Sequence, residues 1–446
     1  MTPPVTVIGC DGSPLPAEAA AAIAAASLVI GARRHLAAAA VPGSVQQSEL
    51  TRLDDALAEI CQAPGPVAVL ASGDPGFFGI VRSLRARGIA PRVIPAVSSV
   101  ALAFARLGLD WDDALVLSAH GRAPRPVIAA ALAHPKVAIL TEPGEAAVQL
   151  ASGLLAAGRR VYAAERLGGP DERVAELTPG GAGGPGDPGS LADPHVLVAV
   201  DPATVGPVAV GPADVGPAGT GQSAAGSAGA IAAAGRGAPA AAPGWGPAAA
   251  PGWVAGHRGA PAGWALPDEA FAHRDSMITK AEVRAVVLAR LGPGLGRTVW
   301  DLGSGSGSVA VECARFGASV IAIEADPGQC ARIGQNAAAH GVRVRVAEGR
   351  APGILAGLPA PDALFAGGGD DAALGAALEL GQPDRAVVTL ASVDRVRTTS
   401  ELLAGHGYRV SGLQLQASRL ASLPGGSLRL AAANPVFVLA GQREAR

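Results

Sequence analysis

The sharpest chemical signal in this 446-residue chain is Asp301-Leu-Gly303-Ser-Gly305-Ser-Gly307-Ser308. Glycine at every second position lets a backbone turn tightly and lets a ligand approach with no Cβ in the way. An apolar run, Thr298-Val-Trp, precedes the loop and a helical pattern begins at Ser308, so the loop joins a strand to a helix N-terminus with free N–H groups. Glu324 closes the next apolar run, 21 residues after Gly303. A carboxylate in that place accepts both hydroxyls of a ribose. Three ligand classes use such a geometry. A dinucleotide fingerprint needs glycine where Ser308 stands, and a Walker loop needs a Gly-Lys-Ser/Thr ending that is absent. A nucleoside without phosphate needs neither.

The elements that must position this loop are regular. A helix over 280–291 leads to a strand at 298–302. A helix over 308–316 and a strand at 319–324 follow, then strands at 342–347, 362–366, 386–390, 408–413 and 435–440. Five helix-linked strands and two closing strands predict an α/β, doubly wound, seven-stranded Rossmann-like sheet. The first half alternates in the same way. Strands at 5–8, 28–30, 67–70 and near Val93 are separated by helices over 16–25, 49–61 and 77–87. After Trp111 a second series begins at 114–118, 137–140, 161–164 and 195–200. Continuous apolar strands alternating with helices predict parallel sheets in two lobes with a cleft between them.

Pro202–Ala262 stands apart, with 23 Gly or Pro and 21 Ala in 61 residues, and Asp214, Arg236 and Arg258 as its charges. Such a composition supports no packed core and reads as a flexible linker, tacked to a domain surface by Trp245, Trp253 and Trp264. A shorter Gly/Pro patch, Thr178–Pro194, reads as a surface loop. The expected domains are 1–201 and 263–446, with the linker at 202–262.

Composition narrows the class. Hydrophobic residues are 49% of the chain despite 61 Gly and 37 Pro, so the whole is not disordered. A net charge of -2 offers no basic excess to a nucleic-acid backbone. Cys10, Cys61, Cys313 and Cys330 form no CxxC pair, which argues against a zinc module or disulfide framework and fits a reducing compartment. Cys313 and Cys330 read as core fillers, and the eight histidines show no metal-ligand spacing, so no metal site is expected. The N-terminus lacks a basic, long-apolar leader, and no run of about 20 apolar residues spans a membrane. The expectation is a soluble, cytoplasmic protein.

Asp-x-Gly-x-Gly-x-Gly, followed by an acid at the end of the next strand, resembles motif I of class I S-adenosylmethionine (SAM) methyltransferases. His273 to Arg284, Ala347-Glu-Gly-Arg-Ala351-Pro, Asp362 to Gly369 and Ala433-Asn434-Pro435-Val436 sharpen the match. With them, residues 266–441 resemble the decarboxylating precorrin methyltransferases of the cobalamin pathway. The resemblance implies that Thr279, Gly303, Ser304, Gly305, Ser306, Gly307, Glu324 and Ala351 bind SAM. In the first half, Gly73-Asp74-Pro75-Gly-Phe-Phe-Gly79, Pro95-Ala-Val-Ser98-Ser99, Leu117-Ser-Ala-His120-Gly121-Arg122, Leu140-Thr141 and Glu165 to Glu172 resemble the tetrapyrrole methylase family over about 4–200. That family holds SAM folded between its lobes, which implies Gly73, Asp74, Ser98, Ser99 and Thr141 as a second set of contacts. Cys10 departs from the closer glycine pair usual in the family's opening loop.

The domain order is that of the fused, bifunctional precorrin methyltransferases. The implied activity is methylation of precorrin-6Y at carbons 5 and 15 with loss of CO2 from the carbon-12 acetate, giving precorrin-8X. Two SAM sites per chain, a small-molecule tetrapyrrole partner, no nucleic acid, no membrane and a homo-oligomer complete the expectation. A substrate rich in carboxylates calls for cations, Arg above all. Candidates are Arg33, Arg34, His35, His120 and Arg122 in the first half, and His273, Arg274, Lys280, Arg284 and Arg350 in the second. Of these, His120, Arg122, Lys280 and Arg284 are expected at the substrate. Several residues keep two readings. Ser98 and Ser99 cap the following helix or touch cofactor, Asp74 fixes its own turn or touches cofactor, and His120 is a ligand or a satisfied histidine. Other functions stay open: a cobalt-containing precorrin, with cobalt arriving inside the substrate; RNA as substrate, against which charge and 3% aromatic content weigh; a nicotinamide oxidoreductase; or a non-catalytic first domain.

Overall fold

The computed structural model describes residues 3–142, 144–179, 186–193, 195–206, 208, 254–256, 261–274, 278–367, 369–424 and 426–443. The chain divides into two compact units, residues 1–121 with 136–257 and residues 122–135 with 258–446.

The first unit holds two sheets. β1 (Val5–Cys10), β2 (Leu28–Gly31), β3 (Gln46–Glu49), β4 (Val67–Ser72) and β5 (Arg92–Ile94) form a parallel sheet in the order β3-β2-β4-β1-β5. Its apolar strands are buried on both faces, as their unbroken Val/Ile/Leu runs predict. α1 (Ala17–Ala24) and α2 (Arg33–Ala38) cover one face through Ala19, Ile23 and Leu36. α3 (Leu53–Gln62) and α4 (Ile80–Ala86) cover the other through Leu57, Ile60, Ile80 and Leu84. α5 (Ser99–Arg106) leads out of this sheet. β3 is mostly exposed and polar and carries no apolar run, so no strand is expected there, just before the helix over 49–61.

The second sheet corrects the parallel expectation. β6 (Leu115–Ser118), β7 (Lys136–Leu140), β8 (Arg160–Glu165), β9 (Arg173–Leu177), β10 (His195–Val200) and β11 (Val254–Ala255) stand in the order β11-β6-β7-β10-β8-β9. Only β6 and β7 run parallel; β10 is antiparallel to both its neighbours. α5 buries Val100, Ala103 and Phe104 against Val116, Tyr162 and Val198, so one core joins the two lobes. α6 (Pro124–Leu132) falls in the second unit and α7 (Glu145–Ala156) in the first.

The stretch read as a linker is anchored at both ends. Val205 and Val208 pack into the core that joins the lobes. Val254 and Ala255 then pair with Leu117 and Val116, covering the free edge of β6. Most of the stretch, with Trp245 and Trp253, lies outside the described residues, as does part of the Thr178–Pro194 patch. Trp264 is 53% exposed, 6.3 Å from the Phe316 ring.

The second unit is one sheet between two helical layers. Its strands are β12 (Thr298–Leu302), β13 (Ser319–Glu324), β14 (Arg345–Glu348), β15 (Ala363–Ala366), β16 (Arg385–Leu390) and β17 (Arg409–Leu415). A ribbon of β18 (Ser418–Ser422) and β19 (Leu428–Ala432) precedes β20 (Val436–Gln442). The seven-stranded order is β14-β13-β12-β15-β16-β20-β17, with β20 antiparallel to its neighbours. Alternate residues of β12 point to opposite cores: Val299 meets Val287 of α8 (Ala281–Leu291) and Val309 of α9 (Ser308–Arg315), with Ile333 of α10 (Pro327–Ala339). Trp300 and Leu302 meet Leu374 of α11 (Asp371–Gly381) and Leu403 of α12 (Asp394–Gly405). The chain runs outward from β12 to β14, then restarts at β15 on the other flank. That reversal leaves a crevice at the carboxyl ends of β12 and β15, where ligands of such sheets bind. Among the described residues, no helix is long and apolar enough to cross a membrane.

Candidate functional site

In the second unit the glycine loop turns out of β12 into the crevice. Gly303, Gly305 and Gly307 have φ of +67°, +58° and +75°, a conformation side chains resist. The reasons differ along the loop. A Cβ on Gly303 or Gly305 would meet nothing within 4 Å, so their open side faces free space. A Cβ on Gly307 would stand 2.9 Å from Ile333. The N–H groups of Gly303 and Ser304 donate to the Ile323 carbonyl (2.9 and 3.2 Å), pinning the loop on β13. Asp301, 1% exposed, accepts from the Ser304 hydroxyl (2.8 Å) and the Ala310 N–H (3.1 Å) through Oδ2, while its buried Oδ1 has no partner among the described residues. Burial, with the Glu324 charge adding, pushes its carboxyl up to about 7.

Glu324 ends β13 beside this loop. Its Oε2 accepts from the Gly305 N–H (2.8 Å), and Oε1 accepts from the N–H groups of Ala325 (2.8 Å) and Asp326 (2.9 Å). Three backbone donors thus fix the carboxylate and leave a lone pair on Oε2 for a hydroxyl donor. The Gly349 N–H donates to the Glu324 carbonyl (2.8 Å), which brings Ala351 alongside. Ala351 is half-buried against the core of Trp300, Leu302 and Ile323. Thr279 Oγ1 lies 3.9 Å from the place a Cβ on Gly367, after β15, would occupy. The second-unit cofactor candidates therefore converge on the carboxyl ends of β12 to β15.

Two arrangements were not legible in motifs. Asn336, 2% exposed on α10, donates to the Ser306 carbonyl (2.8 Å) and the Ala272 carbonyl (3.0 Å) and accepts from the Ala272 N–H (2.7 Å). It clamps the segment before α8 onto the glycine loop; its signal was a polar residue on a buried helical face. Arg284 corrects the substrate expectation. It is fully buried, donates to the Thr279 and Leu266 carbonyls, lies 3.5 Å from Glu312 and stacks over Phe271 at 4.7 Å. Burial lowers its pKa, opposed by Glu312 and Asp268. It holds the protein together and offers nothing to a substrate. Lys280, half-exposed, lies 3.6 Å from Asp268, and Arg274 lies 3.7 Å from Asp326.

In the first unit Gly73, Asp74, Ser98 and Ser99 gather at the carboxyl ends of β4 and β5, while Thr141 and His120 follow strands of the other sheet. Gly73 donates to the Cys10 carbonyl (2.7 Å) with φ of +60°. A Cβ on Gly9 would stand 2.6 Å from the Gly73 carbonyl, so the two turns touch. Asp74 accepts from the Gly76 N–H (2.8 Å) and fixes its own turn. Ser98 caps α5 by accepting from the Ala101 N–H (3.1 Å), and Ser99 is the first helical residue, 3.1 Å by its nitrogen from a Cβ on Gly73. Asp11 accepts from Ser13 and Val97 N–H groups; burial opposes it, but these donors hold its carboxyl below the usual range. Gly12 meets Gly168 of the second lobe, where a Cβ on either would strike backbone at 2.0 or 1.8 Å. Thr141, buried at the end of β7, donates to the Glu142 carbonyl (3.2 Å). His120 is exposed, as is Arg122, which opens the 122–135 segment of the second unit, and Gly121 between them donates to Glu142 (3.3 Å). Arg34 donates to the Ser72 hydroxyl (2.8 Å) and His35 Nε2 lies 2.8 Å from it. Burial, then the Arg34 charge, push the His35 imidazole down to about 4.

Two α/β modules of different topology, one with a glycine loop and a backbone-held carboxylate at its strand ends, make up a chain of two methylase modules. Residues 8–181 match the Tetrapyrrole (Corrin/Porphyrin) Methylases and residues 269–439 match the Precorrin methyltransferase domain. A Sinorhizobium precorrin-6Y C(5,15)-methyltransferase [decarboxylating] is 36% identical over 92% of this chain and 89% of its own. A probable cobalt-precorrin-6B C(15)-methyltransferase (decarboxylating) of Pyrobaculum calidifontis is 33% identical, covering 39% of this chain and 93% of its own. A cobalt-precorrin-7 C(5)-methyltransferase of Salmonella typhimurium is 39% identical over 24% of this chain and 55% of its own. The chain belongs to the decarboxylating precorrin-6Y C(5,15)-methyltransferase family. It is a SAM-dependent precorrin methyltransferase of cobalamin biosynthesis.

Proposed function

We propose that the two methylations are divided between the units, each with its own SAM site. The first unit methylates carbon 5 of precorrin-6Y. The second methylates carbon 15 and releases CO2 from the carbon-12 acetate, giving precorrin-8X. The separate C(5) and C(15) relatives support this division. The observation that carries it is Glu324, held by three N–H groups beside a loop in which Gly303 and Gly305 open onto free space.

Thr279, Gly303 to Gly307, Glu324 and Ala351 would hold SAM in the second unit, and Gly73, Asp74, Ser98, Ser99 and Thr141 in the first. The second-unit set fits on the structure's own terms: Glu324 Oε2, with one N–H donor, keeps a lone pair for a hydroxyl, and Gly303 and Gly305 carry no Cβ to exclude a ligand. SAM, when bound, supplies an electrophilic methyl group. The protein's task is to orient that methyl before an electron-rich ring carbon and to exclude water. No strong base is needed for the transfer itself. Electrons from the broken C–CO2 bond pass into the conjugated imine system of the macrocycle.

The substrate's carboxylates would meet His120, Arg122 and Lys280, at the margins of the two sites. We further propose a cytoplasmic homo-oligomer. Leu420, Leu428 and Leu430, 60–70% exposed on one face of the β18–β19 ribbon, support self-association.

The test is product mass from metal-free precorrin-6Y. Two added methyls with one lost CO2 are expected; a single methyl, or retention of CO2, would refute the division. Titration with S-adenosylhomocysteine should show two sites per chain.

A further inference from the structure

The β18–β19 ribbon is tied to the segment that carries Thr279. Arg419 of β18 donates side-on to Glu282 in the first turn of α8, through Nε and Nη2 at 2.9 Å each. The same Nη2 donates to Asp268 Oδ2 (3.2 Å). Asp268 is 4% exposed, and its Oδ1 accepts from the Ala281 N–H (2.9 Å). It also lies 3.8 Å from Arg284, whose guanidinium grips the Thr279 carbonyl. A continuous charged chain thus runs from the ribbon through Asp268 and Arg284 to the turn Ile278–Lys280.

The position of the ribbon gives this chain a purpose. It grows between β17 and β20, where Leu415 pairs with Val436 and Phe437 with Leu390. That end carries the carboxyl termini of the parallel strands, and so the glycine loop. The ribbon's register puts Arg419 and Arg429 on one face and the exposed leucines on the other. Arg419 hydrogen-bonds both Asp268 and Glu282, which raise its pKa above the usual arginine range.

We propose that Arg419 is a positioning residue for the second-unit cofactor: it locks Asp268 and Arg284 so that the Thr279 turn is held beside Gly367 at the end of β15. The assignment rests on the reading that Thr279 lines the SAM pocket. Without Arg419, buried Asp268 loses a hydrogen-bonded cation, and the turn it caps loosens. By reciprocity, whatever steadies the ribbon tightens the cofactor.

The experiment is titration of the full chain with S-adenosylhomocysteine, using Glu324→Ala to mark which of the two sites belongs to the second unit. Arg419→Gln should weaken that site about five- to tenfold and leave the other unchanged. Arg419→Lys should recover part of the loss, having charge without the side-on pair. Amide hydrogen exchange over 278–284 should quicken in Arg419→Gln, and Glu282→Gln should give the same pattern should Arg419→Gln fail to fold. Unaltered affinity and exchange in the variant that folds would overturn the proposal. Absence of a second site in the parent chain would instead overturn the reading beneath it.

Discussion

The two units use the same residue type at their strand ends for opposite reasons. In the second unit, Gly303 and Gly305 adopt left-handed backbone and face empty space. In the first, Gly9, Gly12 and Gly168 are hemmed in by backbone at 1.8–2.6 Å. One set of glycines makes room for a ligand; the other lets two chain segments touch. A glycine-rich turn in a sequence does not say which it is, because the difference lies in what stands opposite.

Substitutions can break this contrast. Gly168→Ala should have the largest effect. A methyl 1.8 Å from the Asp11 carbonyl forces the lobes of the first unit apart, at a cost of at least about 4 kcal/mol. Loss of the carbon-5 methyl and an early thermal transition would show it, while carbon-15 chemistry persists. Glu324→Ala comes next. It strips three N–H groups of their acceptor and should weaken S-adenosylhomocysteine in the second unit about a hundredfold, or about 2.8 kcal/mol, sparing the first.

The units should also respond oppositely to pH. Asp301 is favoured in its protonated form by the fold, so its contribution is full below pH 4 and is lost as pH rises to about 7. Asp301→Asn should remove a downward slope of up to about 1.4 kcal/mol per pH unit in that window. His35 is favoured neutral, so its contribution is lost as pH falls from about 6.5 toward about 4; His35→Gln should remove an upward slope. Denaturant titrations of parent and variants across pH 4–7 give both signs. The smallest effect is expected of Gly303→Ala, which meets strain but no clash: a loss of about 1–2 kcal/mol, read in cofactor affinity with the fold intact. A collapse as severe as that of Gly168→Ala would erase the distinction between the two loops.

What was legible in the sequence was local. Asp301 to Ser308 and Glu324 are joined by short-range geometry, so spacing alone placed them, and the uniform Val/Ile/Leu runs marked the parallel strands. Contacts distant in sequence were hidden. Asn336 lies 64 residues from Ala272 and Arg419 lies 151 from Asp268. The antiparallel β10 reads like the parallel strands β1 and β4 because its residues too are buried on both faces. The ribbon had a signal, alternating Leu and Arg around Pro424-Gly425-Gly426. It was overlooked because its leucines face outward. Arg284 was misjudged because an arginine beside a ligand motif reads as a ligand, and only its burial shows otherwise.

The anchoring of Val208 and Val254 to the same unit changes what the Ala/Gly/Pro stretch can be. Both valines belong to the first unit, Val208 in its core and Val254 on the edge of β6. Shortening the sequence between them should therefore leave cofactor binding in the second unit unchanged.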